Sequence, residues 1–160
     1  FLQNLKDVFK KEIDSKTLQI KDDFTINLID ENLYFKTGQY KLNTKQKIFL
    51  NTFSTKLFKF LKQRQKHIDT LEINGHTSSE WLKSDFNSKY LKNERLSTLR
   101  AFKTLEYMYA QQSKEMSKFL AFILKSSGYS FSKKIYFNDL EDKEKSRRVS
   151  FKIILHSSKN

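Results

Sequence analysis

Across residues 71–101 the chain changes its hydrophobic period, and that change constrains the fold more than any other feature. In residues 70–75, Leu71 and Ile73 fall on one side and Glu72 and Asn74 on the other, the two-residue repeat of a half-buried strand. The strand ends at Gly75-His76-Thr77, and a polar loop follows. From Leu96 to about Gln111 the repeat becomes helical, with Leu99, Phe102, Leu105 and Met108 as the expected buried face. The helix is expected to open near Ser97, which puts Arg100 in its first turn. A helix N-terminus has free N–H groups and partial positive charge, so a cation is mildly unfavourable there and an anion is favoured. An Arg beside such a seat adds a bidentate fork. The junction therefore reads as a carboxylate-binding site, against the plainer reading of a solvated Arg or a weak local salt bridge.

Strands and helices alternate around this stretch. Residues 1–13 set Leu2, Leu5, Phe9 and Ile13 on one helical face, an amphipathic lead-in. The division expected is a linker over residues 1–16 and one domain over residues 17–160. Residues 17–35 read as a hairpin: Leu18 and Ile20, a Lys21-Asp22-Asp23 turn, then Phe24, Ile26 and Leu28. Asn43 or Thr44 can cap a helix to about Lys66 with the stripe Phe49, Phe53, Leu57, Phe60 and Leu61. Residues 115–125 make a short helix ended by Ser126-Ser127-Gly128, and Tyr129-Ser130-Phe131 a short strand. Residues 138–147 form a charged loop, and Val149, Phe151, Ile153 and Leu155 mark the last strand. The expected fold is an α/β (α+β) two-layer sandwich, with helices on one face of a small mixed sheet in βαβαβ order.

Composition narrows the function classes. With three Gly and no Pro in 160 residues, tight turns must rest on Asn, Asp, Ser and Lys. Fifteen Phe and seven Tyr concentrate the apolar content in bulky rings. The chain has no Cys, which excludes disulfides and Cys-based metal sites, and its three His are scattered, so no metal or cofactor is expected. A net charge of +13 favours anionic polymers, namely nucleic acid, anionic lipid or cell-wall carboxylates, although the lysines form no single block. The first residue is Phe1 rather than Met, which leads us to expect an upstream segment carrying a signal peptide or membrane anchor. No enzyme is expected: Ser78 and Ser79 lie near His76, but no nucleophile elbow surrounds them.

Three motifs then carry a resemblance. Leu71-Glu-Ile-Asn-Gly-His-Thr77, Asn93-Glu-Arg-Leu-Ser-Thr-Leu-Arg-Ala101 and Ser146-Arg-Arg-Val-Ser-Phe151 resemble, in order, the I-x-G-H-T-D, N-x-x-L-S-x-x-R-A and N-R-R-V-x-[IF] patterns of OmpA-like peptidoglycan-binding domains. Residues 33–42 are similar to the opening strand and turn of that family. The resemblance implies non-covalent, non-catalytic anchoring to the cell wall. In such domains an Asp after His-Thr takes the ammonium of diaminopimelate, and the Arg of L-S-x-x-R-A takes its carboxylate. The implied binding set here is Thr77, Ser78, Glu80, Asn93, Arg100 and Arg148. Ser78 stands where the family has Asp, and the loop to Arg100 is longer than in most members; either Glu80 or Asp85 swings in to replace the lost charge, or the ligand differs, or binding is weak.

Trp81 is either a sugar-stacking ring or a loop anchor, His76 is expected to be structural, and at least one of Arg147 and Arg148 to make a structural ion pair. The lead-in helix and hairpin are also similar to the linker region of MotB-like stator subunits and Zorya-type B subunits. That setting implies a periplasmic domain tethered to the inner membrane, or alternatively the outer, with peptidoglycan, a homodimer mate and a motor or envelope complex as partners. The alternative function is an assembly domain that docks a protein partner with a degenerate wall site. Nucleic acid is not an expected partner.

Overall fold

The computed structural model describes residues 1–157. Its centre is a five-stranded mixed sheet in the order β1-β2-β7-β3-β4. The strands are β1 (Leu18–Ile20), β2 (Thr25–Leu28), β3 (Ile68–Gly75), β4 (Leu124–Gly128) and β7 (Val149–Leu155). A small second sheet pairs β5 (Tyr136–Phe137) with β6 (Leu140–Glu141). The helices are α1 (Leu2–Val8), α2 (Lys10–Asp14), α3 (Thr44–Gln63), α4 (Phe86–Ala110), α5 (Lys114–Ile123) and α6 (Lys143–Ser146). No described helix is long and apolar enough to cross a membrane.

The alternation in β3 and β7 sets one face. Leu71 pairs with Ile153, and Ile73 with Phe151, all buried, while Glu72 faces Lys152 on the open side. β7 lies between β2 and β3 and runs antiparallel to both, so the strands joined by α3 are parallel but not adjacent. The crossover through α4 and α5 brings β4 parallel against β3, with Gly75 opposite Gly128. Helices cover one face, as the sequence implies.

Helix α3 forms where the periodicity places it. Asn43 accepts from the Gln46 N–H while the Gln46 side chain accepts from the Asn43 N–H, a capping box. Phe53, Leu57, Phe58, Phe60 and Leu61 are buried along it. The lead-in breaks at Phe9 into α1 and α2, and Leu5 and Phe9 enter the same core, with the Phe9 ring 5.3 Å from Phe53.

Two stretches differ from expectation. Residues 126–128 continue strand β4 rather than ending a helix, and residues 129–131 lie outside any strand. The charged loop of residues 138–147 holds part of a hairpin and the short helix α6. The turns follow the composition: Lys16, Ser130, Asn138 and Asp139 take left-handed backbone conformations, and so do Phe24 and Trp81.

Candidate functional site

Helix α4 begins at Phe86, ten residues before the expected start, where the Asp85 side chain accepts from the Ser88 N–H at 3.0 Å. Arg100 therefore sits in mid-helix, and the expected anion seat at a helix N-terminus is corrected: the backbone N–H groups around Arg100 are already used within α4. The buried face is also rotated. It consists of Asn93, Leu96, Ser97, Arg100, Ala101, Thr104 and Met108, while Phe102 is 44% exposed.

Glycine explains this choice of face. A Cβ on Gly75 would lie 1.8 Å from the Ser97 carbonyl oxygen, and one on Gly128 would lie 2.4 Å from Ser97 Oγ. The paired glycines of β3 and β4 thus let the small residues of α4 lie against strand backbone. That close approach carries Arg100 to the end of β3.

The Arg100 guanidinium is fully enclosed. Nε donates to the Gln39 carbonyl at 2.8 Å, Nη1 to the His76 carbonyl at 3.0 Å and Nη2 to the Lys36 carbonyl at 3.2 Å. Its carbon lies 5.1 Å from the Phe35 ring centroid. The Glu80 carboxylate completes the site, with Oε1 at 3.6 Å from Arg100 Nη2. Glu80 Oε1 also accepts from the Ser78 hydroxyl at 3.3 Å, and Oε2 from the Gly38 N–H at 3.1 Å. Burial lowers the Arg100 pKa to about 10, against the opposing pull of Glu80, so it stays charged at neutral pH. Of the two acids the sequence offers in place of the missing Asp, Glu80 reaches Arg100 and Asp85 is spent on the helix cap.

The remaining members surround this pair. Asn93 donates to the Glu80 carbonyl at 3.1 Å and to the Lys89 carbonyl at 2.9 Å. Its Oδ1 and the Thr77 Oγ1 are buried without a hydrogen-bond partner. Residues 77–80 are held from the far side: the Thr77 N–H donates to the Ser130 carbonyl, and the Ser79 N–H to Glu141 Oε1. Ser130 in turn donates its N–H to Ser97 Oγ and its hydroxyl to the Tyr90 carbonyl.

His76 is structural, bonded through Nε2 to Ser150 Oγ at 3.0 Å and stacked on Tyr129. Burial, then Arg148 and Lys133, push its pKa down to about 2, so it stays neutral. Arg147 makes a structural contact of a different kind from the expected ion pair: Nε donates to the Phe35 carbonyl at 2.8 Å, and the Phe35 N–H returns a bond to the Arg147 carbonyl at 2.8 Å. Arg148 is half-buried, its pKa lowered to about 10 by burial, and no described carboxylate lies within ion-pair distance of it. Trp81 is 38% exposed in a left-handed conformation at the loop tip. The carbonyl acceptors of Lys36, Gln39 and His76 carry no side-chain signal, so sequence reasoning could not find them.

No family model matches the sequence. The Zorya protein ZorB of Escherichia coli is 31% identical over 165 residues, covering 98% of this chain and 65% of that protein, so the chain spans less than two thirds of this relative's length. Among solved structures, the cell wall anchor of the type VI secretion system from Pseudomonas aeruginosa superposes with a TM-score of 0.65 at 13% identity, over 95% of this chain and 97% of that one. A putative MotB-like protein from Desulfovibrio vulgaris gives 0.63 at 18% identity, over 98% and 90%. The periplasmic domain of Helicobacter pylori MotB gives 0.59 at 19% identity, over 88% and 82%. These likenesses agree with the order of the three motifs and with the strand-end placement of Gly75-His76-Thr77 beneath Arg100. The chain thus has the fold of the MotB periplasmic domain and is similar over nearly its whole length to a ZorB protein.

Proposed function

We propose that this domain binds peptidoglycan in the periplasm and anchors a membrane-tethered stator-type complex to the wall, with Arg100 taking a carboxylate of diaminopimelate in the stem peptide. The observation that carries this reading is the Glu80 carboxylate beside the Arg100 guanidinium, 3.6 Å apart in a buried site. A carboxylate is the chemistry this position already holds. Asn93 Oδ1 and Thr77 Oγ1 are unpartnered acceptors beside it and suit a ligand N–H or ammonium. Arg148 adds a second cation near the end of β3, where its charge acts on His76.

The test is co-sedimentation with purified sacculi. Wild type is expected in the pellet. Arg100→Lys keeps the charge but loses the planar fork, and is expected to bind at least about tenfold more weakly with an unchanged circular dichroism spectrum. Equal binding by a folded Arg100→Lys protein would refute the assignment.

A second reading is favoured by one observation, the complete enclosure of Arg100 by backbone carbonyls. In it the wall site stays shut and the domain serves assembly by docking a protein partner. Loss of sacculus binding by wild type, with complex formation retained, selects that reading.

A further inference from the structure

We infer that Glu80 is a built-in occupant of the carboxylate seat, and that a ligand enters only by displacing Glu80 together with the strap of residues 36–39. This rests on the wall-binding reading for the nature of the ligand, but the closure itself is a property of this chain's own residues.

Three observations converge. First, Glu80 ties together the two segments that close the site. One oxygen accepts from Ser78 in the loop after β3, and the other accepts from the Gly38 N–H in the strap. The strap contributes the Lys36 and Gln39 carbonyls to Arg100, so Glu80 and the strap shut the guanidinium in as one unit. Second, Glu80 fits the seat loosely. Its 3.6 Å approach to Nη2 is longer than the roughly 2.7–2.9 Å of a charge-assisted hydrogen bond, and the Ser78 bond is long at 3.3 Å. A free carboxylate, not tethered through its own backbone, can reach the closer geometry. Third, the site remains incomplete with Glu80 in place, because Thr77 Oγ1 and Asn93 Oδ1 are buried without partners. A buried polar atom left unpaired is costly, and an incoming ligand can offset that cost where Glu80 does not.

The strap is built to move. The side chains of residues 36–39 are exposed, and a Cβ on Gly38 would touch nothing within 4 Å. Its N-terminal end is fixed by two hydrogen bonds to Arg147, Phe35 N–H to the Arg147 carbonyl and Arg147 Nε to the Phe35 carbonyl, which puts the hinge between Phe35 and Lys36. Ser78 is what makes the arrangement feasible. An Asp there would bring a second negative charge against Glu80 Oε1, whereas the hydroxyl donates to it. Apparent affinity for ligand is then the intrinsic affinity reduced by the fraction of molecules with Glu80 displaced.

Glu80→Gln preserves shape and removes the charge, so it tests the inference directly. With a soluble diaminopimelate-containing muropeptide as probe, the variant is expected to bind about tenfold tighter than wild type. Hydrogen exchange at the Gly38 and Gln39 amides is expected to speed up about tenfold without ligand. Gly38→Ala strains a left-handed residue (φ +71°) without touching the seat, and is expected to tighten binding about two- to threefold. Weaker or unchanged muropeptide binding by Glu80→Gln overturns the inference and makes Glu80 a jaw for the ligand's ammonium. Unchanged exchange at Gly38 overturns it as well. Faster exchange with no muropeptide binding by either protein upholds the closure and sinks the wall-binding reading instead.

Discussion

Helices α3 and α4 lie on the same face of one sheet and meet it by opposite means. Beneath α3 the contacts are rings: Phe53 lies 4.8 Å from Phe151 and 5.2 Å from Phe49 between centroids. Beneath α4 the contacts are absences of side chain, with Ser97 and Ala101 resting on Gly75 and Gly128. Aromatic burial fixes α3 at a side chain's distance from the sheet and stabilises by the area it removes from water. Close approach brings α4 near enough for Arg100 to reach the carbonyl at the end of β3 and the strap beyond it. One contact secures the fold, and the other assembles a charged site inside it.

The largest expected effect breaks the first contact. Phe53→Ala removes a ring that is 1% exposed and should cost about 3–5 kcal/mol in urea unfolding. Because Phe53 makes none of the Arg100 or Glu80 contacts, the remaining folded fraction should bind sacculi with wild-type affinity. Gly75→Ala breaks the second contact. Its new Cβ falls on the Ser97 carbonyl, so α4 must shift, at about 3 kcal/mol by the overpacking scale. Here the folded fraction should lose sacculus binding, since Arg100 moves with α4. If both variants bind alike per folded molecule, the division of labour between the helices is wrong.

The same contrast decides what could be read from the sequence. α3 was legible because its stripe is apolar and capped, and the sheet because β3 and β7 alternate cleanly. α4 was misplaced because its buried face is polar and small. Leu99, Phe102 and Leu105 outvoted Ser97, Arg100, Ala101 and Thr104, although none of the three is fully buried. Its first turns, with exposed Phe86, Tyr90 and Leu91, lack any apolar stripe and read as loop. Strand β4 is hard to read for a related reason: Gly128 is small to admit α4, and Ser126 and Ser127 beside it lack strand-like side chains. Arg100 stands out in the sequence beside the expected helix start and again in the motif, Glu80 stands out as a substitute for the missing Asp, and their mutual contact comes only with the fold.

Acid should separate the two regions next. The buried residues of α3 include no ionisable group, whereas the end of β3 buries His76. Its folded pKa is depressed to about 2 by burial, Arg148 and Lys133, so the folded protein keeps it neutral. The unfolded chain takes up that proton near pH 6.5, so below that value the unfolded state binds more protons. Stability from this group is therefore full above about pH 6.5 and falls as pH drops from there towards about 2. Between pH 7.5 and 5.5 the loss is about 1.4 kcal/mol, read as the difference in pH slope between wild type and His76→Gln in urea titrations. Parallel slopes would mean that His76 is solvated or paired in the folded state.

The smallest effects sharpen the comparison through the helix starts. Asn43 opens α3 with a capping box whose partner, Gln46, is buried and also donates to the Leu33 carbonyl at 3.1 Å. Asn43→Ala should cost about 1 kcal/mol and leave sacculus binding intact, because neither Asn43 nor Gln46 bonds Arg100 or Glu80. Asp85 opens α4 by a single exposed bond to the Ser88 N–H, which also holds its carboxyl below the usual range. Asp85→Ala should change global stability less than Asn43→Ala does, and its effect should fade in acid as the wild-type carboxyl gains its proton. Yet the turns it frees lead directly to Asn93, whose amide holds the Glu80 carbonyl. Hydrogen exchange should therefore quicken over residues 86–93 in Asp85→Ala, with a measurable change in sacculus binding and little change in melting temperature. The crossed outcome, stability lost from the α4 cap and binding lost from the α3 cap, would reverse the roles assigned to the two helices.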